Sequence, residues 1–308
     1  MHAQPGIFAL GTSDHCYLEF DLTDTAAFLR SAAALVTDLS TTGGVNVVVG
    51  LRAELWATLA DPDEVPAAAR SFDEDLVGPD GFTMPATQHD AWVWISGGDR
   101  SAVFDAAVRT VHDAGDVASV RREVGGWLYR HDRDLTGFID GTENPSLIEA
   151  SSVVAVPDGE PGAGSSVVLF QLWTHQVEAW TALGVEGQEK VMGRTKADSV
   201  EFPDDVKAPD SHVERATFDV DGVEQKIFRR NVAYGGPTAN GTVFVGFGRH
   251  ATLHGMLEQM AGVGDGIRCA LTRYTTPISG AYYVVPSVEA LARLVPEDDG
   301  QDSVPEED

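Results

Sequence analysis

The sequence has little positive charge. Its 308 residues include 21 lysines and arginines against 48 aspartates and glutamates, which gives a formal net charge of −27. Only four of these cations are lysines, namely Lys190, Lys196, Lys207 and Lys226. Because such an excess of negative charge repels phosphate groups, binding to nucleic acids or to anionic membrane surfaces is disfavoured. We therefore expect neither nucleic acid nor membrane among the partners.

Cysteines and long apolar segments are also scarce. The two cysteines, Cys16 and Cys269, lie far apart and give neither a zinc-knuckle spacing nor a disulfide framework. The first residues lack the basic segment followed by an apolar one that marks a secretory signal. No apolar run approaches the length of a membrane span. Together these absences predict a cytoplasmic protein.

The remaining composition is that of a folded protein. Hydrophobic residues make up 43% of the chain and charged residues 22%, which is ordinary for a packed globular protein. The exception is the segment 297–308, which holds seven acidic residues and no basic one. This segment has little to bury and repels itself, so we predict that it is disordered. The seven acids are only part of the excess, so the folded part is acidic as well.

Hydrophobic periodicity predicts two similar halves, each a mixture of strands and helices. In the first half, strand, helix, strand, strand, helix and strand fall at 16–22, 28–36, 45–51, 91–96, 99–113 and within 119–130. In the second half the same order falls at 165–173, 180–191, 223–229, 241–248, 252–261 and 281–286. The β-α-β-β-α-β order is typical of ferredoxin-like folds. We predict an α+β protein made of two tandem, duplicated ferredoxin-like domains with antiparallel sheets, residues 1–155 and 156–296.

The densest cluster of polar residues is the segment 131–146. In it Gly137 and Gly141 flank Asp140, and an Asn-Pro step follows, which predicts a tight loop holding a carboxylate at a fixed angle. Taken alone, an Asp-Gly pair more often only makes a turn. The acidic side chains of this segment are also oxygen donors for calcium, but their spacing does not match the EF-hand pattern.

Further cations and a histidine stand in three short segments. Arg194 either pairs with nearby acids or recognises an anionic group. His212 follows a Pro-Asp-Ser stretch, where a lone histidine is usually a solvated surface residue. Arg229 and Arg230 end a predicted strand, and because side chains alternate along a strand only one of them can face a given ligand. No Walker loop, GxSxG elbow or CxxC pair is found, so the usual signatures of nucleotide-dependent and serine-hydrolase chemistry are missing.

Taken together, these segments resemble the dye-decolorizing peroxidases, most closely the bacterial B-type subfamily. The central match is GFIDGTENP at 137–145, which carries the family's Gly-x-x-Asp-Gly motif with its Thr-Glu-Asn-Pro continuation. Four further elements follow in the family's order: GRTK at 193–196, SHVER at 211–215, IFRRN at 227–231 and GAYYVVPS at 280–287. The resemblance spans roughly residues 5–295. It implies the same duplicated ferredoxin-like fold, with haem b held mainly by the C-terminal half.

The resemblance also implies a role for individual residues. His212 would be the proximal iron ligand, and Asp140 the distal acid–base carboxylate. Arg229 would be the distal arginine, with Asn231 beside it as a further distal polar group. Arg194 would pair with a haem propionate. The remaining contacts to the porphyrin would come from Phe138, Gly141, Thr142 and Phe247.

Two further expectations concern the surroundings of the haem. A proximal histidine generally needs an acceptor for its second ring nitrogen, and Asp265 is the candidate. Electrons from bulky dyes would enter through aromatic residues such as Trp173, Trp180 or Tyr234. The ordinary role of each of these aromatics is packing in the core.

The function that the resemblance implies is that of a haem-dependent peroxidase. It would reduce H2O2 through an oxoferryl intermediate and oxidise aromatic or dye-type donors in one-electron steps. Two alternatives stay open: a haem-handling protein that stores haem or releases its iron, and a non-haem metal-binding module built on 131–143. The family further implies a homo-oligomer. The acidic tail offers only Val304 as an apolar anchor, so packaging in an encapsulin shell is not expected.

Overall fold

The computed structural model describes residues 1–37 and 44–294. The elements of the first half are β1 Asp14–Leu22, α1 Thr25–Thr37, β2 Val45–Leu51, α2 Ala53–Leu59, β3 Leu76–Val77, β4 Thr83–Met84, β5 Ala91–Gly97, α3 Arg100–Ala114 and β6 Ala118–Trp127. A connecting helix, α4 Leu147–Val154, precedes the second half. The elements of the second half are β7 Ser166–His175, α5 Val177–Ala182, α6 Gly184–Met192, α7 His212–Ala216, β8 Phe218–Val220, β9 Val223–Gln225, β10 Phe228–Arg229, β11 Val232–Gly235, β12 Asn240–Gly248, α8 His250–Ala261, β13 Thr275–Pro277, β14 Ala281–Val285 and α9 Val288–Ala292.

Each half forms the sheet of a ferredoxin-like fold. In the first half the strand order is β6-β1-β5-β2, and every neighbouring pair is antiparallel. In the second half the order is β14-β7-β12-β11, again antiparallel, with β10 continuing beside β12. Both orders place the first and third main strands at the centre, as a β-α-β-β-α-β unit requires. The predicted duplicated fold is therefore confirmed.

The two sheets join at both edges and close into a barrel of eight strands. Val284 of β14 pairs with Leu51 of β2 at one junction, and Ala233 of β11 pairs with Trp127 of β6 at the other. Closure removes the open edges that each sheet would otherwise present to solvent. The interior is filled by large aromatic side chains from both halves: Tyr17, Trp92, Trp94, Phe170, Phe247 and Tyr283.

The outer face of each sheet is covered by helices, because successive side chains of a strand point to opposite faces. On the first sheet, α1 and α3 pack through buried residues such as Phe28, Leu29 and Val103. On the second sheet, α8 packs through Leu253 and Met256. The cover over the second sheet is incomplete. Between that sheet, α7, α8 and the loop 134–143 lies a cavity.

Several local expectations differ from the structure. The helix predicted at 99–113 is present, but Phe104 and Val108, expected on its packed face, are 65% and 52% exposed, whereas Val103 and Ala107 are buried. The helix predicted at 180–191 is two short helices, α5 and α6. Periodicity did not reveal α2, α4, α7 or the β3–β4 hairpin.

The domain limits at 155 and 296 stay predictions. The disorder predicted for 297–308 concerns residues outside the described part of the chain. Within residues 1–37 and 44–294, no helix has both the length and the hydropathy needed to cross a bilayer.

Candidate functional site

The cavity on the outer face of the second sheet brings most of the candidate residues together. Its volume is about 680 Å³, within the range of about 300–1,000 Å³ in which ligand pockets fall. Candidate residues from four separate segments line it: Phe138, Asp140, Gly141, Thr142, Arg194, His212, Arg229 and Asn231. An apolar part of its wall is built from Phe244, Met256, Leu257, Met260 and Leu271.

His212 is the first residue of α7, directly after the N-cap Ser211. Its side chain lines the cavity, and its Nδ1 lies 3.5 Å from the Sγ of Cys269. Burial, together with the positive charges of Arg229 and Arg194, lowers the pKa of His212 to about 4. At neutral pH the ring is therefore uncharged, the form that binds a metal. Within the described ranges no hydrogen bond engages its Nε2, which is free for a ligand in the cavity.

Asp140 sits in a tight loop whose geometry depends on the glycine that follows it. Gly141 has a φ of +75°, a conformation that side-chain-bearing residues rarely adopt. This turn lets the amide of Gly141 donate to Asp140 Oδ1 at 2.7 Å. The amide of Asp140 donates to the carbonyl of Asp132, also at 2.7 Å. The carboxylate is thus held at a fixed angle beside the cavity, as the sequence predicted.

A second carboxyl group, Asp134, lines the same cavity. The pKa of Asp134 is raised to about 6, mainly by burial; the charge of Asp140 acts in the same direction, and the hydrogen bonds from Thr136 oppose it. The amide of Thr136 donates to Asp134 Oδ1 at 2.9 Å. Sequence reasoning noted Asp134 only as an oxygen donor for calcium. The signal that could have revealed Asp134 as a cavity residue was its position beside the turn that contains Gly137 and Gly141.

Arg229 and Arg230 point to opposite sides of their strand. Arg229 lines the cavity, and its buried Nε has no hydrogen-bond partner within the described residues. Arg230 points into the barrel, where it donates to the carbonyls of Ile7 and Ala9 at 2.6 and 2.7 Å and lies over the ring of Trp94. The alternation of side chains along a strand separates the two arginines in this way.

Arg194 is carried to the cavity by the end of α6. Gly193 terminates that helix with a φ of +84°, a left-handed C-cap. The Arg194 side chain is only 5% exposed, so its charge is largely desolvated. It donates to Thr142 Oγ1, and to Glu143 Oε1 at 3.2 Å. The guanidinium group is thereby held against the loop that carries Asp140.

Phe247 is not brought to the cavity. It lies fully buried in the barrel interior, where its ring packs against Trp92 and Trp94. Phe244, three residues earlier on β12, faces the cavity instead. An odd separation along a strand reverses the face, so the expectation of a ligand contact at Phe247 is corrected by strand parity. Asn231 does line the cavity, and its Oδ1 accepts from the amide of Val245 at 3.0 Å.

Asp265, the expected acceptor behind His212, is engaged elsewhere. Its two carboxylate oxygens accept from Arg215 at 2.8 and 3.1 Å, and one of them also accepts from the amide of Ile267. The side chain in contact with the second nitrogen of His212 is Cys269. Sequence reasoning did not reveal this contact, because the two residues are 57 positions apart.

The aromatic residues named as electron carriers occupy different surroundings. Trp173 lines the cavity and is 8% exposed. Trp180 packs edge-on against Phe138, and its indole N–H donates to the carbonyl of Thr136. Tyr234 lies on β11 with its hydroxyl 3.4 Å from that of Thr174. No group of three acidic, histidine or cysteine side chains that could hold a metal ion occurs in the described parts of the chain.

Family models match both halves of the chain. The model described as Dyp-type peroxidase, N-terminal, matches residues 4–128, and the model described as Dyp-type peroxidase, C-terminal, matches residues 131–290. Among curated proteins, a dye-decolorizing peroxidase of Brevibacterium linens is 38% identical over 253 residues, covering 80% of this chain and 68% of the relative. One of Mycobacterium tuberculosis is 35% identical and covers 80% of this chain and 75% of the relative.

Solved structures have the same fold. DypB from Rhodococcus jostii RHA1 superposes with a TM-score of 0.82 at 31% identity, covering 91% of this chain and 94% of that protein. A Dyp-type peroxidase protein from Shewanella oneidensis gives a TM-score of 0.86 at 25% identity, covering 95% and 98%. The similarity therefore extends over both halves and includes every segment that lines the cavity.

Proposed function

Because the chain belongs to the Dyp-type peroxidase family, we propose that it is a haem peroxidase that reduces H2O2 and oxidises aromatic or dye-type donors in one-electron steps. Variants of the Rhodococcus jostii relative were solved in complex with heme. The observation that carries the proposal is the meeting of His212, Asp140 and Arg229 in one cavity. A histidine can bind a metal, a carboxylate can carry a proton, and an arginine keeps its positive charge.

The residues present fit haem. His212 offers an uncharged ring with a free Nε2, and the apolar wall around Met256 and Met260 suits a porphyrin face. Arg194 is a buried cation at the cavity wall and suits a propionate. The buried Nε of Arg229 lacks a partner within residues 1–37 and 44–294, which leaves a donor for a group bound in the cavity. A buried polar atom without a partner is costly in a native protein, so a bound group is the natural partner.

When bound, haem would supply an iron that binds peroxide and exchanges electrons singly. In the proposed mechanism His212 would hold that iron through Nε2. Asp140 takes the proton from the near oxygen of the peroxide and returns it to the departing oxygen. Arg229 stays protonated and stabilises the negative charge that develops as the O–O bond breaks. Asn231 lies beside this group as a further polar side chain.

Haem-loaded protein tests the proposal. Its absorption spectrum, recorded before and after one equivalent of H2O2, should show a Soret band that changes at once and returns when an aromatic donor is added. His212→Ala should lose the band. Asp140→Asn and Arg229→Leu should keep the band but respond to peroxide more slowly. The surface variant Arg249→Ala is the control. A Soret band that peroxide leaves unchanged would instead favour the alternative, a protein that stores haem or releases its iron.

We propose further that the protein is cytoplasmic and self-associates. Both cysteines are free thiols in the structure, which suits a reducing compartment. One side of α3 carries Phe104, Val108 and Val111, which are 65%, 52% and 40% exposed and lie at helical spacing. An exposed apolar stripe of this kind favours a protein interface. Cell fractionation tests the compartment, and light scattering of Phe104→Lys against wild type tests the association.

We also propose that the acidic segment 297–308 does not direct packaging into an encapsulin shell. The support is its composition, since Val304 is its one apolar anchor. Co-expression with a shell protein is the test. Co-purification that is lost when 297–308 is deleted would contradict the proposal.

A further inference from the structure

A thiol lies directly behind the histidine that faces the cavity. Cys269 Sγ is 3.5 Å from His212 Nδ1, and Cys269 is 0% exposed. The main chain fixes the position of this residue: its amide donates to the carbonyl of Met260 on α8 at 2.9 Å, and its carbonyl accepts from the amide of Thr272 at 3.1 Å. The sulfur is therefore held against the ring by secondary structure on both sides.

Among the described residues, no carboxylate is hydrogen-bonded to the Nδ1 of His212, the atom that Cys269 contacts. Asp265 is held by Arg215 in a two-point ion pair. Within the described residues, the sulfur of Cys269 is the hydrogen-bonding partner of the His212 ring. Across residues 1–37 and 44–294, the Nδ1 of His212 thus lacks the carboxylate partner that commonly supports a metal-binding histidine.

We propose that Cys269 is a positioning residue that accepts the Nδ1 proton of His212 and keeps this ligand a weak electron donor. The inference rests on the proposed function, in which Nε2 binds iron. With Nε2 bound, Nδ1 carries the ring proton, and the sulfur in contact with it can only accept. Sulfur is a weak acceptor, whereas a carboxylate partner raises the basicity of the ring. A less basic ring stabilises Fe(III) less and therefore raises the Fe(III)/Fe(II) reduction potential.

The weak acceptor Cys269 changes how much each residue of the site contributes to breaking the O–O bond of the peroxide. A strongly donating ligand pushes electron density toward the bond that breaks in the peroxide. A histidine supported only by a thiol gives less of this push. More of the acceleration then falls to Asp140 and Arg229, which line the same cavity. Their substitution should be costly in this protein for that reason.

The test is a potentiometric titration of the haem-loaded protein with substitutions at Cys269. Cys269→Asp should favour Fe(III) over Fe(II) by about tenfold, a fall of about 59 mV for a one-electron couple. Cys269→Ser should lower the potential by less, since a hydroxyl is a better acceptor than sulfur, and Cys269→Ala should not lower it. In resonance Raman spectra the iron–histidine stretch should rise in the same order. The control is Cys16→Ser, the other free cysteine, which lies on β1.

The outcomes separate this inference from the proposed function. A potential in Cys269→Asp equal to that of wild type, with haem bound, overturns the role of Cys269 and leaves the peroxidase proposal standing. If Cys269→Asp does not fold, the comparison of serine with alanine decides, and equal potentials in those two overturn the role. A wild-type protein that takes up no haem contradicts both proposals.

Discussion

The side chain of Asn144 holds the main chain of Arg229 through two hydrogen bonds. Its Nδ2 donates to the carbonyl of Arg229, and its Oδ1 accepts from the amide of Arg229, each at 2.9 Å. The two residues are 85 positions apart in the chain. The loop that carries Asp140 and the strand that carries Arg229 are thereby joined, so the two distal groups of the proposed mechanism share one support.

Asn144→Ala should loosen this support. Two main-chain groups of Arg229 would lose their partner, at a cost of about 1–3 kcal/mol each in the free energy of unfolding. The reaction of haem-loaded protein with peroxide should slow as well, because Arg229 would no longer be fixed relative to Asp140. Stopped-flow spectroscopy and urea denaturation measure the two effects. Asn240→Ala, which removes a hydrogen bond to Gly236 in a surface turn, should affect stability alone. Equal peroxide rates in both variants would contradict the role of Asn144.

Arg229 and Arg230 provide a pair of substitutions with opposite expected results. Arg229→Leu should slow the reaction with peroxide and change stability little, since its Nε has no partner among the described residues. Arg230→Leu should lower the free energy of unfolding by about 1–3 kcal/mol, because it leaves the buried carbonyl of Ile7 unpaired, whereas the carbonyl of Ala9 keeps Thr12 as a donor. Its peroxide rate should stay near that of wild type. A slow peroxide reaction in Arg230→Leu would show that the assignment of the two arginines is reversed.

Strands β10 and β12 show how much of the site can be predicted from the sequence. Alternation along IFRRN required that Arg229 and Arg230 face opposite sides, and they do. Alternation also required that Phe247 and Phe244 face opposite sides, but periodicity cannot say which face of β12 is the barrel interior. One face of β12, with Val245 and Phe247, is buried in the barrel, and the other, with Phe244, is half-buried at the cavity. Because both faces carry apolar side chains, the strand reads as a continuous apolar run, and the choice between the two phenylalanines needed the structure.

Contacts between distant segments could not be predicted from the sequence either. The duplicated strand order follows from local patterns of apolar residues, which is why it could be predicted. The contact of Cys269 with His212 depends instead on how α8 packs against α7. The pairing of Asp265 with Arg215 depends on the same packing. The motif GFIDGTENP marked the position of Asp140, but not the bonds from Asn144 to Arg229 or the burial of Asp134.

Arg194→Leu should weaken haem binding. In the proposed site its guanidinium group pairs with a propionate, and a hydrogen bond to a charged group contributes about 1.5–3 kcal/mol. The dissociation constant for haem should therefore rise roughly 10-fold or more. Titration of apoprotein with haem, followed at the Soret band, measures the change. Arg249→Ala removes an exposed arginine that pairs with Glu160 and should leave the affinity unchanged. An affinity unaltered in Arg194→Leu would exclude the propionate contact.

Asp134 should make stability depend on pH. The pKa of its carboxyl is about 6 in the folded chain against 3.8 as the ordinary value. Between these values the folded state holds a proton that the unfolded state has lost, so this group makes the free energy of unfolding fall as pH rises from about 4 to 6. The total is on the order of 2–3 kcal/mol. Asp134→Asn should remove this fall. The free energy of unfolding of the variant should therefore exceed that of wild type by more at pH 7 than at pH 4.

Urea denaturation across pH measures the effect of Asp134. The difference between variant and wild type is the quantity of interest, because buried histidines such as His15 and His212 titrate in the same window and cancel in that difference. Asp105→Asn, at an exposed position on α3, is the matched control and should run parallel to wild type. If Asp134→Asn also ran parallel to wild type, the carboxyl of Asp134 would not be the titrating group.

The net charge of −27 should select among reducing donors by their charge. Long-range attraction concentrates cationic molecules near an acidic surface and raises their encounter rate, and it does the opposite for sulfonated dyes. Salt screens this effect over about 8–10 Å at ordinary ionic strength. As salt is added, kcat/KM should therefore fall for a cationic dye, rise for an anionic dye and stay level for a neutral phenol. The surface cation Lys190 pairs with Glu186, so Lys190→Glu adds negative charge without changing a residue that lines the cavity and should steepen both slopes. Identical salt dependence for the cationic and anionic dyes would mean that donors are not steered by the field of the protein.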